Sequence, residues 1–293
     1  MFRVSKNLFI YRLNERDNFW PQVPTIALKK NRLKIFFSFR KKREAKTGLS
    51  KARVGYIEIN SKFQLSKKLC EISVKENSLK KKYANDGLMP GCFESRNNFF
   101  LTGWKKTSKY PHKTYVLKGK LKKDTLELTK VYFKNKIFSN GPFIFKNQRK
   151  KIFFFSLGLK WFLYKNKYEN IYQIRKYENK KIRSLYKVEK NEVTNRPTII
   201  KINSEFYVFF CKRKHKDFRN QKNGYKIYFS KSKNLSVWSK PKKIRYNKRV
   251  LQSWNSGMQC YPYVFKYKNK ILMAYCGNYF GRGGFSISEL QKD

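Results

Sequence analysis

The sequence predicts an all-β fold, a single five-bladed β-propeller over residues 1–293, and three observations lead to it. A proline followed by a short β-like run, a turn and a second aromatic or aliphatic run occurs five times. A third β-rich segment follows each copy, and a fourth follows most of them. Four-stranded units at such regular intervals are typical of propeller blades, because radial stacking covers both faces of each sheet.

The five hairpins begin at prolines that are 66, 52, 55 and 65 residues apart. A proline that opens an inner strand loses no hydrogen bond of the ladder and fixes φ at the mouth of the central channel. The segments are Pro24 (PTIALKKNRLKIFFSFR), Pro90 (PGCFESRNNFFLTGW), Pro142 (PFIFKNQRKKIFFFSLG), Pro197 (PTIIKINSEFYVFFCKR) and Pro262 (PYVFKYKNKILMAYCGN).

The outer strands follow each hairpin in order. Predicted third strands are ARVGYIEI from Ala52, KTYVLKGKL from Lys113, NIYQIRKY from Asn170, YKIYFSKS from Tyr225 and GFSISEL from Gly284. Predicted fourth strands lie near Phe63 and at 126–133, 182–188 and 238–244. The last repeat has no fourth strand of its own, so we expect the N-terminal strand at 2–11 to close it and to remove an exposed edge.

The charge is strongly unbalanced, with 70 Lys and Arg against 18 Asp and Glu and a net charge of +52. This excess favours an anionic partner. A basic nucleic-acid-binding protein is the alternative from another class, since aromatic residues could stack on bases. The lysines are dispersed, as the clusters at 29–34, 40–46 and 80–82 show, which favours a solvated coat. Such a coat could also dock on an anionic membrane surface.

Missing motifs exclude other classes. The apolar run at 151–164 is shorter than the roughly 20 residues of a spanning helix. The N-terminus does not resemble a secretory signal, and five cysteines without a CxxC pair argue against disulfides and structural zinc, so a cytoplasmic protein is expected. Neither His112 nor His215 belongs to a metal-ligand motif, and no glycine motif precedes a helix, so no cofactor is expected.

Four blocks carry a resemblance to a known family: QVPTIAL with KIFFSFR and ARVGYIEI; NDGLMPGCF with FFLTGW; NRPTIIKINSEFYVFF with NGYKIYFSKSKNLSVW; and WNSGMQCYPYVFKYKNKILMAYCGNYFGRGGF. The chain resembles five-bladed propeller proteins related to glycoside hydrolase family 43, in particular a glycosidase-like branch associated with surface-polysaccharide synthesis. The resemblance implies a funnel that recognises sugars. Fold alone does not set the reaction, so the residues must be considered one by one.

Two carboxyl groups are the catalytic candidates. Asp86 stands four residues before Pro90, and the resemblance puts the corresponding aspartate at the funnel mouth. Glu192 stands five residues before Pro197 and could reach the same mouth. Glycoside hydrolysis needs two such groups across the scissile bond. A turn aspartate and an exposed loop glutamate are the structural alternatives.

The sequence departs from a simple hydrolase at the other inner strands. Gln22 and Asn140 stand where a carboxylate would be expected, and 254–258 (WNSGM) lacks the acidic residues that the family commonly has there. Cations are better supplied, and a guanidinium can bind phosphate or carboxylate through two parallel hydrogen bonds. The predicted substrate-binding residues are Gln22, Arg40, Arg53, Trp104, Arg196, Trp254, Tyr261, Asn278 and Arg282.

These residues predict a propeller that acts on or recognises a glycan with an anionic or phosphorylated group. One carboxylate beside several arginines favours a phosphorylase or a transglycosylase as well as a hydrolase, because phosphate attack needs a single acid. The partner would be a carbohydrate, possibly nucleotide-linked. A non-catalytic sugar-binding scaffold is the alternative that best explains the shortage of acids.

Overall fold

Each of the five proline-led segments forms an antiparallel hairpin in the computed structural model. Aromatic and β-branched residues fill these strands, and such side chains suit a pleated, buried surface. The structure describes residues 1–12, 20–29, 31–40, 51–108, 111–136, 138–147, 150–185, 189, 191–218 and 223–293.

In chain order the strands and helices are β1 (Phe2–Tyr11), β2 (Trp20–Lys29), β3 (Arg32–Arg40), β4 (Ala52–Asn60), β5 (Leu65–Glu71), β6 (Ser73–Val74), α1 (Ser78–Tyr83), β7 (Gly87–Phe93), β8 (Asn98–Lys105), β9 (Lys113–Lys122), β10 (Thr125–Tyr132), β11 (Ser139–Asn147), β12 (Lys150–Tyr164), β13 (Lys167–Glu178), β14 (Lys181–Ser184), β15 (Glu192–Ile202), β16 (Glu205–Lys214), β17 (Lys226–Ser232), β18 (Lys242–Lys243), β19 (Arg245–Tyr246), a 3-10 turn (Lys248–Val250), β20 (Cys260–Tyr267), β21 (Lys270–Cys276), α2 (Asn278–Gly281) and β22 (Phe285–Lys292).

The described residues form four sheets. The largest contains β2–β5 and β6–β10, and its two halves are joined by one parallel bridge between Ala52 and Gly87. Strands β11–β14 and β15–β18 form two sheets in simple chain order. In the last sheet β20, β21 and β22 are extended by β1, which runs antiparallel to β22, and then by β19.

The fourth strand of the first repeat begins later than predicted. Phe63, near which the sequence predicts this strand, lies in a turn with a φ of 61°, and the strand starts at Leu65. The side-chain oxygen of Asn60 accepts hydrogen bonds from the backbone N–H groups of Lys62 and Gln64, which stabilises the turn.

A β-bulge precedes the proline in four of the five inner strands. The residue directly before the proline has a φ of 57° to 59° at Val23, Gly141, Arg196 and Tyr261. The pairing register shifts at each of these points. A bulge redirects a side chain out of the ladder, and backbone strain in non-glycine residues is often found at functional sites.

The hydrophobic core lies between neighbouring sheets rather than within one. Phe2 of β1 illustrates this, because its ring contacts the rings of Tyr207, Phe209 and Phe229 at centroid distances of 4.9 to 5.0 Å. These partners belong to β16 and β17 of the preceding sheet. The N-terminal strand therefore joins two sheets through packing as well as hydrogen bonds.

All five cysteines lie within the described residues and none forms a disulfide. Cys92, Cys211, Cys260 and Cys276 are buried, whereas Cys70 is partly exposed. Burial raises the pKa of the Cys92 and Cys211 thiols to about 12. Among the helices that the structure describes, none is long and apolar enough to cross a membrane.

Candidate ligand-binding site

A cavity of about 470 Å³ opens where the inner strands begin. That volume is in the range of small-molecule sites. Its described lining contains four arginines, one carboxyl group, four side-chain amides, one histidine and many aromatic rings. The charged residues are Arg40, Arg196, Arg213, Arg282 and Glu169. The lining is therefore cationic and aromatic.

The bulged inner strands supply part of this lining. Gln22, Asn140 and Asn195 each stand two residues before a repeat proline, and all three line the cavity. Arg196 and Tyr261 stand directly before their prolines and line it as well. The same bulge thus delivers a polar side chain to the cavity from several sheets.

Arg196 is 7% exposed and is held by neutral groups. Its Nη1 donates to the carbonyl of Pro90 at 2.9 Å, and its Nη2 lies 3.5 Å from the sulfur of Met89. The guanidinium is also 5.8 Å from the centre of the Tyr261 ring. Burial lowers the pKa of Arg196 from its ordinary value, because desolvation disfavours the charged form.

Arg213 is buried in a similar way, with 6% exposure. Its Nη2 donates to the carbonyl of Asn170 at 3.2 Å, and its Nη1 donates to the carbonyl of Lys214 at 2.9 Å. The guanidinium lies 3.5 Å from the centre of the Phe218 ring. Its Nε is buried without a hydrogen-bond partner among the described residues.

The other two arginines are more open. The Arg40 guanidinium lies 4.6 Å from the centre of the Trp104 ring. Arg282 is exposed, and its guanidinium lies about 6 Å from the rings of Trp20 and Tyr279. Both arginines therefore sit beside aromatic faces, an arrangement that suits cation–π contact.

Glu169 in β13 is the one carboxyl group among the described lining residues, and it is 6% exposed. The neighbouring Tyr172 hydroxyl is influenced by the charges of Glu169, Arg213 and Arg196, although burial is the main cause that raises its pKa. A phenol, a carboxyl group and two guanidinium groups thus share one electrostatic neighbourhood.

His112 lies between two indole rings of the site. Its ring centre is 5.1 Å from that of Trp161 and 6.0 Å from that of Trp104, in edge-on geometry. Burial, with a smaller effect from the Arg40 charge, lowers the pKa of His112 to about 4. The imidazole is therefore neutral at physiological pH.

We expect His112 to make the protein less stable as the pH falls from about 6.5 to about 4. The unfolded imidazole takes up a proton near its ordinary pKa of 6.5, whereas the folded one does so only near about 4. The free energy of unfolding should therefore fall by about 3 kcal/mol across this window. Urea denaturation from pH 7 to pH 4 should show a weaker pH dependence for His112→Phe. Equal pH dependence of both proteins would contradict this assignment.

The two predicted catalytic residues lie outside this cavity. Asp86 lines a separate depression, and its Oδ2 accepts a hydrogen bond from the backbone N–H of Lys106 at 2.7 Å. Glu192 lines another depression, and its Oε1 accepts from Lys212 Nζ at 2.6 Å. The structure therefore does not bring the two carboxyl groups into the cavity that holds the arginines.

The predicted substrate-binding residues divide into two groups. Gln22, Arg40, Arg196, Tyr261 and Arg282 all line the cavity. Trp104 contacts it through Arg40.

The remaining predicted binding residues are occupied elsewhere. Arg53 is exposed and pairs with Glu71 at 3.3 Å. Trp254 is buried and stacks on Tyr275 at 5.7 Å. Asn278 Oδ1 accepts from the backbone N–H groups of 257 and 258 at 3.0 and 2.7 Å, so this amide stabilises a turn.

Sequence reasoning missed Arg213, and a signal for it exists in the repeat. Arg213 stands 16 residues after Pro197, and Arg40 stands 16 residues after Pro24. Aligning the two hairpins by their prolines would have paired these arginines. Glu169 and Trp161 have no comparable signal, because they lie on the extended parts of β12 and β13. Within the described ranges, no cluster of three or more His, Cys, Asp or Glu residues could hold a metal ion.

Comparison with known sequences gives short matches. No family model matches the chain. Two curated proteins from Mycobacterium tuberculosis strains, Uncharacterized protein MT1551 and Uncharacterized protein Rv1502, are each 29% identical over 101 residues. The matches cover 34% of this chain and 31% of each relative, so the chain spans about a third of the length of the curated relatives it matches.

Comparison with solved structures covers nearly the whole chain. A protein described as a glycoside hydrolase has a TM-score of 0.68 at 11% identity, over 99% of this chain and 92% of its own. A thermostable family-43 glycoside hydrolase has a TM-score of 0.63 at 10% identity, over 94% and 91%. The catalytic domain of the Coprinopsis cinerea GH62 alpha-L-arabinofuranosidase has a TM-score of 0.60 at 9% identity, over 99% and 96%. The chain therefore has the all-β propeller fold of these glycoside hydrolases.

Proposed function

We propose that this protein binds a carbohydrate carrying an anionic group in the cavity at the ends of its inner strands. One observation carries the proposal. Arg196 and Arg213 are more than nine-tenths buried, and neither contacts a carboxylate among the described residues. A buried charge is normally paired, because the lost hydration is costly. A phosphate or carboxylate of the ligand would complete the site.

A single propeller of five blades is part of the proposal. Five groups of three or more strands, each led by one repeat proline, support this count. The single bridge between Ala52 and Gly87 is a weak link, so the nine-stranded sheet is best regarded as two blades. The pairing of β1 with β22 supports completion of the last blade by the N-terminal strand.

The carbohydrate class rests on two supports. Structural neighbours include an alpha-L-arabinofuranosidase and an exo-1,5-alpha-L-arabinanase, which are proteins of carbohydrate chemistry by name. The cavity also offers aromatic faces at Trp161, Tyr168 and Tyr279. Aromatic rings pack well against apolar sugar faces while their polar edges stay hydrated.

If the protein is an enzyme, phosphorolysis or glycosyl transfer fits this cavity better than hydrolysis. Hydrolysis uses two carboxyl groups, and the described lining contains only Glu169. In phosphorolysis a phosphate oxygen attacks the anomeric carbon, and the glycosidic oxygen leaves with the proton of one acid. Asp86 and Glu192 open onto other depressions, so the proposal moves the acid from them to Glu169.

A non-catalytic sugar-binding module is the second candidate, and the same shortage of carboxyl groups favours it. A nucleic acid is less favoured, because the arginines converge in one cavity instead of following an outer groove. A cytoplasmic location and docking of the lysine coat on an anionic membrane stay predictions.

Calorimetric titration tests the proposal. We expect wild-type protein to bind a hexose 1-phosphate at least about tenfold more tightly than the free hexose, because a charge-assisted hydrogen bond contributes about 1.5 to 3 kcal/mol. Added salt should weaken only the charged ligand. Equal affinity for both ligands, or none for either, would contradict an anionic carbohydrate.

Product analysis with and without phosphate then separates the two candidates. Phosphate-dependent turnover that is lost in Glu169→Gln but kept in Asp86→Asn would identify an enzyme with Glu169 as its acid. Binding without turnover in all three proteins would identify the sugar-binding module.

A further inference from the structure

Uncharged polar groups without partners gather on one side of the cavity. Among the described residues, His112 Nδ1, Thr114 Oγ1 and Asn140 Oδ1 have no hydrogen-bond partner, and Asn170 lacks one for both Oδ1 and Nδ2. Thr114, Asn140 and Asn170 are each 3% exposed. Buried polar groups are almost always paired, so a group of unpaired ones points to a bound molecule. These four residues are named the polar wall.

The polar wall surrounds one indole ring. Asn170 in β13 lies directly opposite Trp161 in β12, and the His112 ring stands edge-on to the same indole. Thr114 in β9 and Asn140 in β11 come from the two neighbouring inner and outer strands. A flat ring placed on Trp161 would therefore be bordered by polar atoms.

Asn170 is fixed on both sides. A Cβ atom at Gly158 would lie 2.6 Å from Asn170 Oδ1, so the absence of a side chain there makes room for the amide. The backbone carbonyl of Asn170 accepts the hydrogen bond from Arg213 Nη2. The polar wall therefore meets the buried arginines at this residue.

The two sides of the cavity differ in chemistry. The polar wall combines donors and acceptors and carries no charge, since His112 is neutral at physiological pH. Hydroxyl groups both donate and accept, so they match such a wall, whereas phosphate oxygens mainly accept. The guanidinium groups of Arg196 and Arg213 only donate and are charged.

We infer that the cavity binds a sugar phosphate in one direction, with the ring hydroxyls at the polar wall and the phosphate at Arg196 and Arg213. This inference rests on the proposed function and narrows its ligand to a neutral ring with an attached phosphate. The ring would lie on Trp161, and Asn170 would be the junction between the two parts.

Titration of two variants with two probes tests this direction. The probes are inorganic phosphate and a set of hexose 1-phosphates, and the variants are Asn170→Leu and Thr114→Val. We expect Asn170→Leu to weaken the best hexose 1-phosphate about tenfold, because two hydrogen bonds are lost, and Thr114→Val about threefold. Affinity for inorganic phosphate should change by less than about twofold in both variants.

Thr125→Val is the matched control, because Thr125 begins β10 and does not line the cavity. Thermal unfolding should show that the variants stay folded, since each replaces an unpaired polar group by an apolar one. Equal weakening of both probes, or no weakening of the sugar phosphate, would overturn the inference while anion binding stands. Wild-type protein that binds neither probe would overturn the proposed function itself.

Discussion

Arg213→Met should weaken the binding of inorganic phosphate by about 10- to 150-fold, the loss expected for one charge-assisted hydrogen bond. The free energy of unfolding of the unliganded protein should not fall. The buried guanidinium has no carboxylate partner among the described residues, and its Nε has no partner at all. Replacing a buried, poorly compensated charge by an apolar side chain is often neutral or stabilising. Calorimetry and thermal unfolding measure the two effects.

Arg53→Met is the matched control for this experiment. Arg53 is exposed and pairs with Glu71 outside the cavity, and exposed ion pairs contribute little. Neither phosphate affinity nor stability should change appreciably in this variant. If Arg213→Met instead lowered the unfolding temperature and left phosphate binding intact, the arginine would be structural and the anionic site would be wrong.

Phe2→Ala should lower the free energy of unfolding by about 3 to 5 kcal/mol, the usual cost of removing a fully buried aromatic ring. The Phe2 side chain is 1% exposed and contacts three aromatic rings of β16 and β17. Its loss would open a void at the point where β1 packs against the preceding sheet. Urea denaturation of the variant gives the change directly.

Leu163→Ala is the control, since Leu163 is 59% exposed and should contribute little. A change of less than about 1 kcal/mol for Phe2→Ala would mean that the N-terminal strand is dispensable for stability. The proposed completion of the last blade by β1 would then lose its main support.

The strands could be predicted because they repeat. The same proline, hairpin and third strand recur, and the predicted third strands from Ala52 and Lys113 begin at the observed residues. Shorter outer strands were less accurate. The predicted strand at 238–244 contains only the two residues Lys242–Lys243 of β18, because few buried side chains fix that edge.

The candidate site could be predicted only where a side chain stands beside a repeat proline. Arg196 and Tyr261 were found in this way, since the bulge there directs them into the cavity. Asp86 stands four residues before its proline, and there the chain has turned away, so its carboxylate binds a local backbone N–H group. Distance from the proline, more than residue type, decides which side chains reach the cavity.

The polar wall was out of reach of sequence reasoning for a different reason. His112 and Asn170 belong to different sheets and meet only through the packing of Trp161. Nothing in the spacing of these residues indicates that contact. His112 was considered only as a metal ligand, and its burial among indole rings could not be foreseen.

The four buried thiols make the closed sheets chemically silent. Cys260 and Cys276 face each other across β20 and β21, and Cys211 is equally inaccessible. A thiol that is buried and protonated reacts with a modifying reagent only after the surrounding strands separate. The reaction rate of these cysteines is therefore a clock for local opening of the sheets around the cavity, while Cys70 reports the reagent's access to an open surface.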